Sequence, residues 1–426
     1  MNHFHYAFYE MAHAAIAPYR LWSDATRLAL KNPLNPWSHT PFGKTVAAGA
    51  ELFERMTRRY GKPIFGLDYT VVEGREVEVV ERVVWQRPFC KLVHFERQFH
   101  AAPARQPRLV IVAPMSGHYA TLLRGTVEAF LPTHEVYITD WADAREVPLA
   151  AGRFDLDDYI DYLSAIYAEI GRCHTIAVCQ PSVPVIAAVA LMEAAGHPGA
   201  PASMILMGGP VDTRQGLTEV NKLAAARGPG WFRRNCIHLL PLPYAGAGRE
   251  VYPGFLQLSG FMAMNIDRHV EAHLDMFNHL VEGDGDSAEK HRDFYDEYLA
   301  VMDLTAEFYL QTIETVFQKH LLPKGEMMHR GRRVDLAAIA RCGLMTVEGE
   351  NDDISGVGQC SAAHGLCAGL PQARQLRHLE PGVGHYGVFN GRRFRQNIAP
   401  AIRAFIDRID AMDVADTQTT RRLAFA

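Results

Sequence analysis

Apolar residues recur at two different periods along the chain, and the change of period separates its first two regions. Over residues 6–30 and 44–59 the apolar positions are three and four apart, which predicts two amphipathic helices. From Tyr69 the period becomes two, so residues 69–72 and 77–85 are predicted to be paired strands joined by a turn at Glu73. The chain is thus expected to open with helices and then change to a sheet.

Beyond residue 107, short apolar runs alternate with longer amphipathic segments. The runs predict strands at 109–113, 135–140, 175–178, 203–207, 343–347 and 375–379. The amphipathic segments predict helices at 118–131, 156–170, 183–195 and 394–409. Strands that alternate with helices form a mostly parallel sheet covered on both faces, so an α/β fold is predicted.

The alternation stops between residues 215 and 335, where the sequence is largely helical and rich in Phe, Tyr, Met and His. This stretch is interpreted as a helical cap inserted into the α/β core. The predicted organisation is therefore a helical segment (1–65), a first part of the core (66–214), the cap (215–335), a second part of the core (336–412) and a flexible tail (413–426).

Composition narrows the functional classes. Of the 426 residues 48% are apolar and 21% charged, as in globular proteins, and the net charge of −5 gives no reason to expect a nucleic-acid partner. Seven scattered cysteines without a CxxC pair favour reduced thiols over disulfides or a zinc site. A cytoplasmic location is expected, because the sequence shows no recognisable signal peptide and no apolar run of membrane-spanning length.

The most informative motif is the segment 174–184 (HTIAVCQPSVP), in which an apolar strand ends abruptly at Cys179. A strand that ends in a nucleophile and turns sharply into a helix is the nucleophile elbow of α/β-hydrolases, usually Gly-x-Ser-x-Gly. Here Ala177 and Pro181 replace the glycines and a thiol replaces the hydroxyl. Proline suits the first helical turn, which has no use for its N–H.

Two later segments supply the groups that such a nucleophile needs. Asp352 lies in an acidic turn after the strand at 343–347, and His385 lies in a Gly-rich loop at 380–389. The chain order nucleophile, acid, histidine is that of α/β-hydrolases, and the three loops should converge at the carboxyl ends of parallel strands. The predicted fold is therefore an α/β-hydrolase with an inserted helical cap.

Chemistry assigns a role to each group. Cys179, at a helix N-terminus and beside an imidazole, is the expected nucleophile, His385 its general base, and Asp352 the carboxylate that orients the imidazole. The backbone N–H of Gln180 and a second one from Met115 or Ser116 are the expected oxyanion-hole donors. The sequence implies neither a metal nor a cofactor.

Several alternatives remain open from the residues alone. Ser182 could be the nucleophile, and Asp353 or Asp212 could replace Asp352. The acidic turn could suggest a metal, but it lacks the spacing of a calcium loop. His118, in the presumed oxyanion loop, could line the site or be structural.

Six segments together carry a family resemblance: 113–124 (APMSGHYATLLR), 139–141 (TDW), 179–184 (CQPSVP), 207–214 (MGGPVDTR), 347–356 (VEGENDDISG) and 382–389 (GVGHYGVF). They resemble the intracellular poly(3-hydroxybutyrate) depolymerases from about residue 5 to residue 410, and CQPSVP is the most specific part. The resemblance implies an α/β-hydrolase that cleaves amorphous polyester in cytoplasmic granules with a cysteine nucleophile. It places the Cys–Asp–His triad on Cys179, Asp352 and His385.

The resemblance also gives the cap a purpose, because an insoluble polyester needs an apolar docking surface. Trp231 and Phe255, together with His118, are the expected substrate-binding residues. The expected partner is the granule surface, and a homodimer is left open. The alternatives are a polyester synthase, for which Gly-x-Cys-x-Gly would be expected, an esterase or thioesterase for small esters, and a granule-binding protein without activity.

Overall fold

In the computed structural model of the protein, the described residues are 3–99, 106–264, 266–282, 292 and 295–424. The predicted cap lies partly outside them, at residues 265, 283–291 and 293–294, as do the last two residues of the predicted tail.

A nine-stranded sheet forms the centre of the protein. Its strands, in chain order, are β1 (Tyr69–Val72), β2 (Arg75–Arg87), β3 (Cys90–Arg97), β4 (Arg108–Val112), β5 (Glu135–Trp141), β6 (His174–Val178), β7 (Ser203–Met207), β13 (Gly343–Gly349) and β14 (Gln375–Glu380). In space they follow the order β1-β2-β3-β5-β4-β6-β7-β13-β14. The pairs from β1 to β5 are antiparallel, and every pair from β5 to β14 is parallel.

Hydrophobicity explains which strands are central. Every residue of β6, β7 and β13 is buried, which requires helices on both faces of the sheet. β1 and β2 form the exposed antiparallel edge that the alternating pattern predicts. β3 was not anticipated; it follows β2 after a two-residue turn and joins this edge to β5. The predicted α/β fold, a mostly parallel sheet covered by helices, is confirmed.

Helices surround the sheet and build the cap. The first nine are α1 (His3–Lys31), α2 (Pro41–Thr57), α3 (Arg124–Phe130), α4 (Leu156–Ile170), α5 (Ser182–Ala194), α6 (Glu219–Ala226), α7 (Pro229–Cys236), α8 (Gly254–Met264) and α9 (Ile266–Glu282). Residues 295–298 are also α-helical, and further α-helical segments lie at Ala306–Thr312, Ala363–Leu366, Gly391–Arg393 and Ala399–Ala424. Turns of 3₁₀ helix lie at Pro36–His39, Ala120–Leu123, Leu149–Ala151, Leu336–Ala338, Gln372–Arg374 and His385–Val388, and π-helical turns lie at Ile313–Gln318 and Phe394–Ile398.

Small strands lie within the cap, and a β-bridge joins the cap to the core. β8 (His238–Leu239), β9 (Glu250–Tyr252) and β10 (Leu304–Thr305) form a three-stranded sheet, and β11 (Met328–His329) and β12 (Arg332–Arg333) form a hairpin. The start of the predicted helix 118–131 is extended instead, because His118 forms a β-bridge with Val301. The N–H of Met302 also donates to the carbonyl of Gly117 at 2.7 Å.

The closing helix extends beyond its predicted end. The closing helix was expected to end at Ile409, but it continues as Ala399–Ala424. The reason is electrostatic: Asp413 accepts hydrogen bonds from Arg172 and Arg374, both at 2.7 Å, which hold the extra turns against the core. The sequence pattern shows the negative charge but not its distant partners.

Candidate active site

Cys179 occupies a strained turn at the carboxyl end of β6. Its φ of 68° is unusual for a residue with a side chain, and such strain is typical of a nucleophile elbow. The Cys179 N–H donates to the carbonyl of Met207 in β7 at 2.7 Å, and α5 begins three residues later at Ser182. The turn therefore projects the thiol away from the sheet edge.

Two loops bring a histidine and a carboxylate to this thiol. His385 follows β14, Asp352 follows β13, and the His385 Nδ1 lies 2.8 Å from the Asp352 Oδ2. The other carboxylate oxygen, Oδ1, accepts the backbone N–H groups of Ile354 and Ser355 at 2.9 and 2.8 Å. His385 is also within hydrogen-bonding reach of Cys179. The structure thus brings the three residues of the predicted triad together.

Opposing influences set the charge of the imidazole. Burial by itself lowers the pKa of His385, but the neighbouring negative charges of Cys179 and Asp352 outweigh it and hold that pKa well above its ordinary value. The hydrogen bonds to the same two side chains act in the same direction. The site therefore favours the imidazolium form next to an anionic partner.

The three alternative catalytic residues, Ser182, Asp353 and Asp212, do not take part in this arrangement. Ser182 is fully buried, and its Oγ is only 2.0 Å from where a Cβ on Gly209 would be, so no substrate can reach it. Asp353 is exposed. Asp212 accepts hydrogen bonds from the Arg214 guanidinium at 2.8 and 2.9 Å, which lower the pKa of Asp212.

The acidic turn has a structural use that the sequence did not reveal. Glu348 is buried, and its Oε1 accepts the backbone N–H groups of Gly358, Cys360 and Ser361 at 2.9–3.0 Å.

No group of three or more metal-binding side chains occurs in the described part of the chain. Within the same residues, no helix is both long enough and apolar enough to cross a membrane.

The expected oxyanion-hole groups lie side by side. Met115 and Ser116 follow β4, and the Met115 N–H donates to the Oε1 of the Gln180 side chain at 3.4 Å. The Nε2 of the same amide is buried and has no hydrogen-bond partner among the described residues. The amide oxygen of Gln180 thus occupies the acceptor position at one candidate donor, the Met115 N–H.

A cavity of about 710 Å³ opens over the thiol. Cys179, Gln180, Met115, Ser116 and His385 lie in its wall, and most of the remaining lining is apolar and comes from the cap. The cap contributes Phe232, Tyr252, Leu304, Phe308, Tyr309, Ile313 and Phe317, among others. The site is therefore a largely apolar chamber with few polar groups.

His118 also lines this cavity, and it is held by the cap. Its Nε2 lies 3.1 Å from the carbonyl oxygen of Tyr298, to which the ring donates when that nitrogen is protonated. Burial lowers the pKa of His118 to about 4. It is therefore a neutral part of the wall near neutral pH.

The other two predicted substrate-binding residues do not reach the cavity. Phe255 stacks on Tyr9 of α1, with ring centroids 4.0 Å apart, and meets Tyr6 edge-on at 5.4 Å. Trp231 packs edge-on against Phe232, and it is Phe232 that lines the chamber. Aromatic content alone could not indicate on which side of the cap helices these rings lie.

Sequence reasoning missed two glycines that the geometry requires. A Cβ on Gly208 would lie 3.2 Å from both the Asp352 Oδ2 and the His385 Cε1, and one on Gly209 would lie only 2.0 Å from the Ser182 Oγ at the start of α5. The signal was present as a Gly-Gly pair immediately after β7. Tyr386, directly after His385, also lines the cavity.

Part of the chain matches a known protein family. Residues 208–410 match the family described as PHB de-polymerase C-terminus. The matched region, just under half of the chain, is similar to that family. The matched region contains Asp352, His385 and the whole predicted cap, whereas Cys179 lies before it. Together with the fold, the match indicates a hydrolase of the esterase type.

The solved structures that resemble this chain do so only distantly. A presumed lipase from Acinetobacter baumannii is 11% identical, with 79% of this chain and 92% of that one covered and a TM-score of 0.42. A thermophilic esterase from Thermogutta terrifontis is 13% identical, with 80% and 97% covered and a TM-score of 0.37. The comparison with curated proteins gave no match.

Proposed function

We propose that this protein hydrolyses poly(3-hydroxybutyrate) to 3-hydroxybutyrate oligomers or monomer through a Cys179–His385–Asp352 triad. The observation that carries the proposal is a thiol at a strained elbow, next to a His–Asp pair, inside an apolar cavity of a chain with a region similar to the PHB de-polymerase family. A polyester of short hydroxyacids is apolar and has hydrogen-bond acceptors only, which suits such a chamber.

The chemistry follows from the hydrogen bonds. Because Asp352 engages the Nδ1 of His385, the Nε2 is the nitrogen available to accept the thiol proton. The Cys179 sulfur then bonds to the ester carbonyl carbon. The ester C–O bond breaks as the imidazolium returns the proton to the leaving alkoxide, and a thioester remains.

Water completes the cycle. His385 takes a proton from water as its oxygen attacks the thioester carbonyl; the C–S bond then breaks and the sulfur leaves as thiolate, to be protonated again by the imidazolium. The backbone N–H groups of Gln180 and Met115 would stabilise the oxyanion in both steps. For this, the substrate carbonyl has to replace the Gln180 amide oxygen as acceptor of the Met115 N–H.

A pair of variants tests the proposal. Cys179→Ala should reduce release of 3-hydroxybutyrate from native granules by about 10³-fold or more, because it removes the atom that forms the intermediate. Ser182→Ala is the matched control, since that hydroxyl is buried away from the cavity. The measurement is hydroxyacid release by the purified proteins.

Retention of full activity by Cys179→Ala would refute the triad. Incubation of the wild type with 3-hydroxybutyryl-CoA tests the synthase alternative. Formation of polymer would show that the protein transfers acyl groups, and the proposed hydrolase function would then be wrong.

A further inference from the structure

An apolar stripe runs along the solvent side of α1. Phe8, Met11, Tyr19 and Trp22 follow one another at intervals of three or four residues, apart from the gap that Ala15 fills, so they share one face of the helix. Their exposed fractions are 68%, 63%, 66% and 74%. An amphipathic helix normally turns such a stripe towards the core.

The opposite side of α1 is already occupied. There Tyr6 donates to Asp303 at 2.7 Å, Tyr9 stacks on Phe255 of α8, and Ser23 donates to the carbonyl of Ala50 in α2. The exposed stripe is therefore additional to the contacts that hold the helix. Other large apolar side chains of the same helical hairpin are also exposed, namely those of Leu21, Leu28, Leu34, Trp37, Phe42, Phe53 and Met56.

Charge indicates what kind of surface this face fits. Arg27 pairs with Asp24, Lys31 with Glu51 and Arg59 with Glu10, each at 2.5 Å. Arg55 and Arg58 share Asp296, which is part of the cap. Among the described residues of α1, α2 and their connection, Arg20 and Lys44 have no carboxylate partner. A site for anionic lipids usually has about four to eight cations, so these two are too few.

Hydrogen-bonding capacity gives a second indication. The Tyr19 hydroxyl and the Trp22 indole N–H are donors at the edge of apolar rings, and exposed rings of this kind suit a surface that is apolar but carries acceptors. A polyester offers methyl groups and ester carbonyls, and it has no charge along its chain. The stripe complements that chemistry in both respects.

The hairpin is also connected to the catalytic cavity. α8 contacts α1 through Phe255, and Gln257 and Gly260 of the same helix lie in the cavity wall. We infer that the exposed face of α1 is the surface by which the protein docks on its water-insoluble polyester. This inference rests on the proposed function, and it moves the docking surface from Trp231 and Phe255 of the cap to the N-terminal hairpin.

The test compares two triple variants. In Phe8→Ser/Tyr19→Ser/Trp22→Ser, binding to amorphous poly(3-hydroxybutyrate) particles, measured by co-sedimentation, should weaken at least about tenfold, because three large exposed side chains lose their apolar contacts. Val71→Ser/Val83→Ser/Leu379→Ser, which alters exposed apolar residues on the central sheet, should bind like the wild type. Hydrolysis of short soluble 3-hydroxybutyrate oligomers should be unchanged in both.

Each other outcome has a definite meaning. Undiminished particle binding by the α1 variant would overturn the inference. Preferential binding of the wild type to phosphatidylglycerol vesicles would also overturn it. So would light scattering that shows a dimeric wild type and a monomeric α1 variant, if that variant still binds the particles. If the wild type does not hydrolyse the oligomers, the proposed function fails irrespective of docking.

Discussion

At the scale of single residues, the environment of His385 is the decisive feature of the site. Its imidazole is buried, yet Cys179 and Asp352 hold the pKa of His385 well above its ordinary value. A raised pKa in the folded protein means that protonation of this group stabilises the fold. That stabilisation is complete below about pH 6.5 and is lost as the pH rises through the folded-state pKa.

Asp352→Asn tests this account. Asparagine keeps an oxygen to accept the N–H groups of Ile354 and Ser355 but removes the negative charge. The pKa of His385 should fall, hydrolysis should slow by about 10³-fold, and the loss in free energy of unfolding should be greatest below pH 6.5. NMR titration of His385 and denaturant unfolding measure these quantities; an unchanged His385 titration would contradict the role of Asp352.

At the scale of elements, the N-terminal hairpin and the cap support each other. α1 and α8 meet through the stacked rings of Tyr9 and Phe255, and Tyr6 of α1 reaches Asp303 just before β10. Because Phe255 packs here and not in the cavity, its importance should be structural.

Phe255→Ala should lower the free energy of unfolding by about 2 kcal/mol, because a partly buried ring and its aromatic contacts are lost. Hydrogen exchange in α1 should accelerate, while kcat on short oligomers should stay close to that of the wild type. Phe232→Ala is the contrasting variant. Because the Phe232 ring lines the cavity, its removal should impair oligomer hydrolysis. If Phe255→Ala reduced kcat with stability unchanged, Phe255 would belong to the substrate site.

At the scale of the whole molecule, buried histidines limit stability in acid. Burial lowers the pKa of His118 to about 4; burial, with the nearby His174 and arginines, lowers that of His134 to about 3. Both are neutral in the folded protein at pH values where the unfolded chain is protonated. Their contribution is present above about pH 6.5 and is lost as the pH falls towards 4 and 3.

His134→Phe isolates this effect, because the His134 Nε2 has no partner among the described residues and its ring packs edge-on against Phe130. Between pH 6 and 4, the slope of unfolding free energy against pH should decrease by up to about 1.4 kcal/mol per pH unit. Above pH 7 the two profiles should run parallel. Identical slopes below pH 6 would show that His134 is not buried neutral.

Short-range patterns predicted much of this molecule correctly. The helix at 156–170, the strand at 203–207 and the hairpin that turns at Glu73 depend on local periodicity and turn chemistry, and the structure confirms them. The closing helix continues past Ile409, where Asp413 pairs with Arg172 and Arg374; these partners are distant in sequence, so local periodicity could not indicate this packing.

The sequence by itself determined the alternation of strands and helices in the α/β core, apart from β3, and the chain order of Cys179, Asp352 and His385, because these depend on residue type and spacing. Only the tertiary structure decided that Asp352, and neither Asp353 nor Asp212, contacts His385, and that Phe255 faces α1 while Phe232 faces the cavity. The physical reason is that a side chain's partner depends on which distant segments pack against it, and an amphipathic pattern gives the direction of a face but not what covers it.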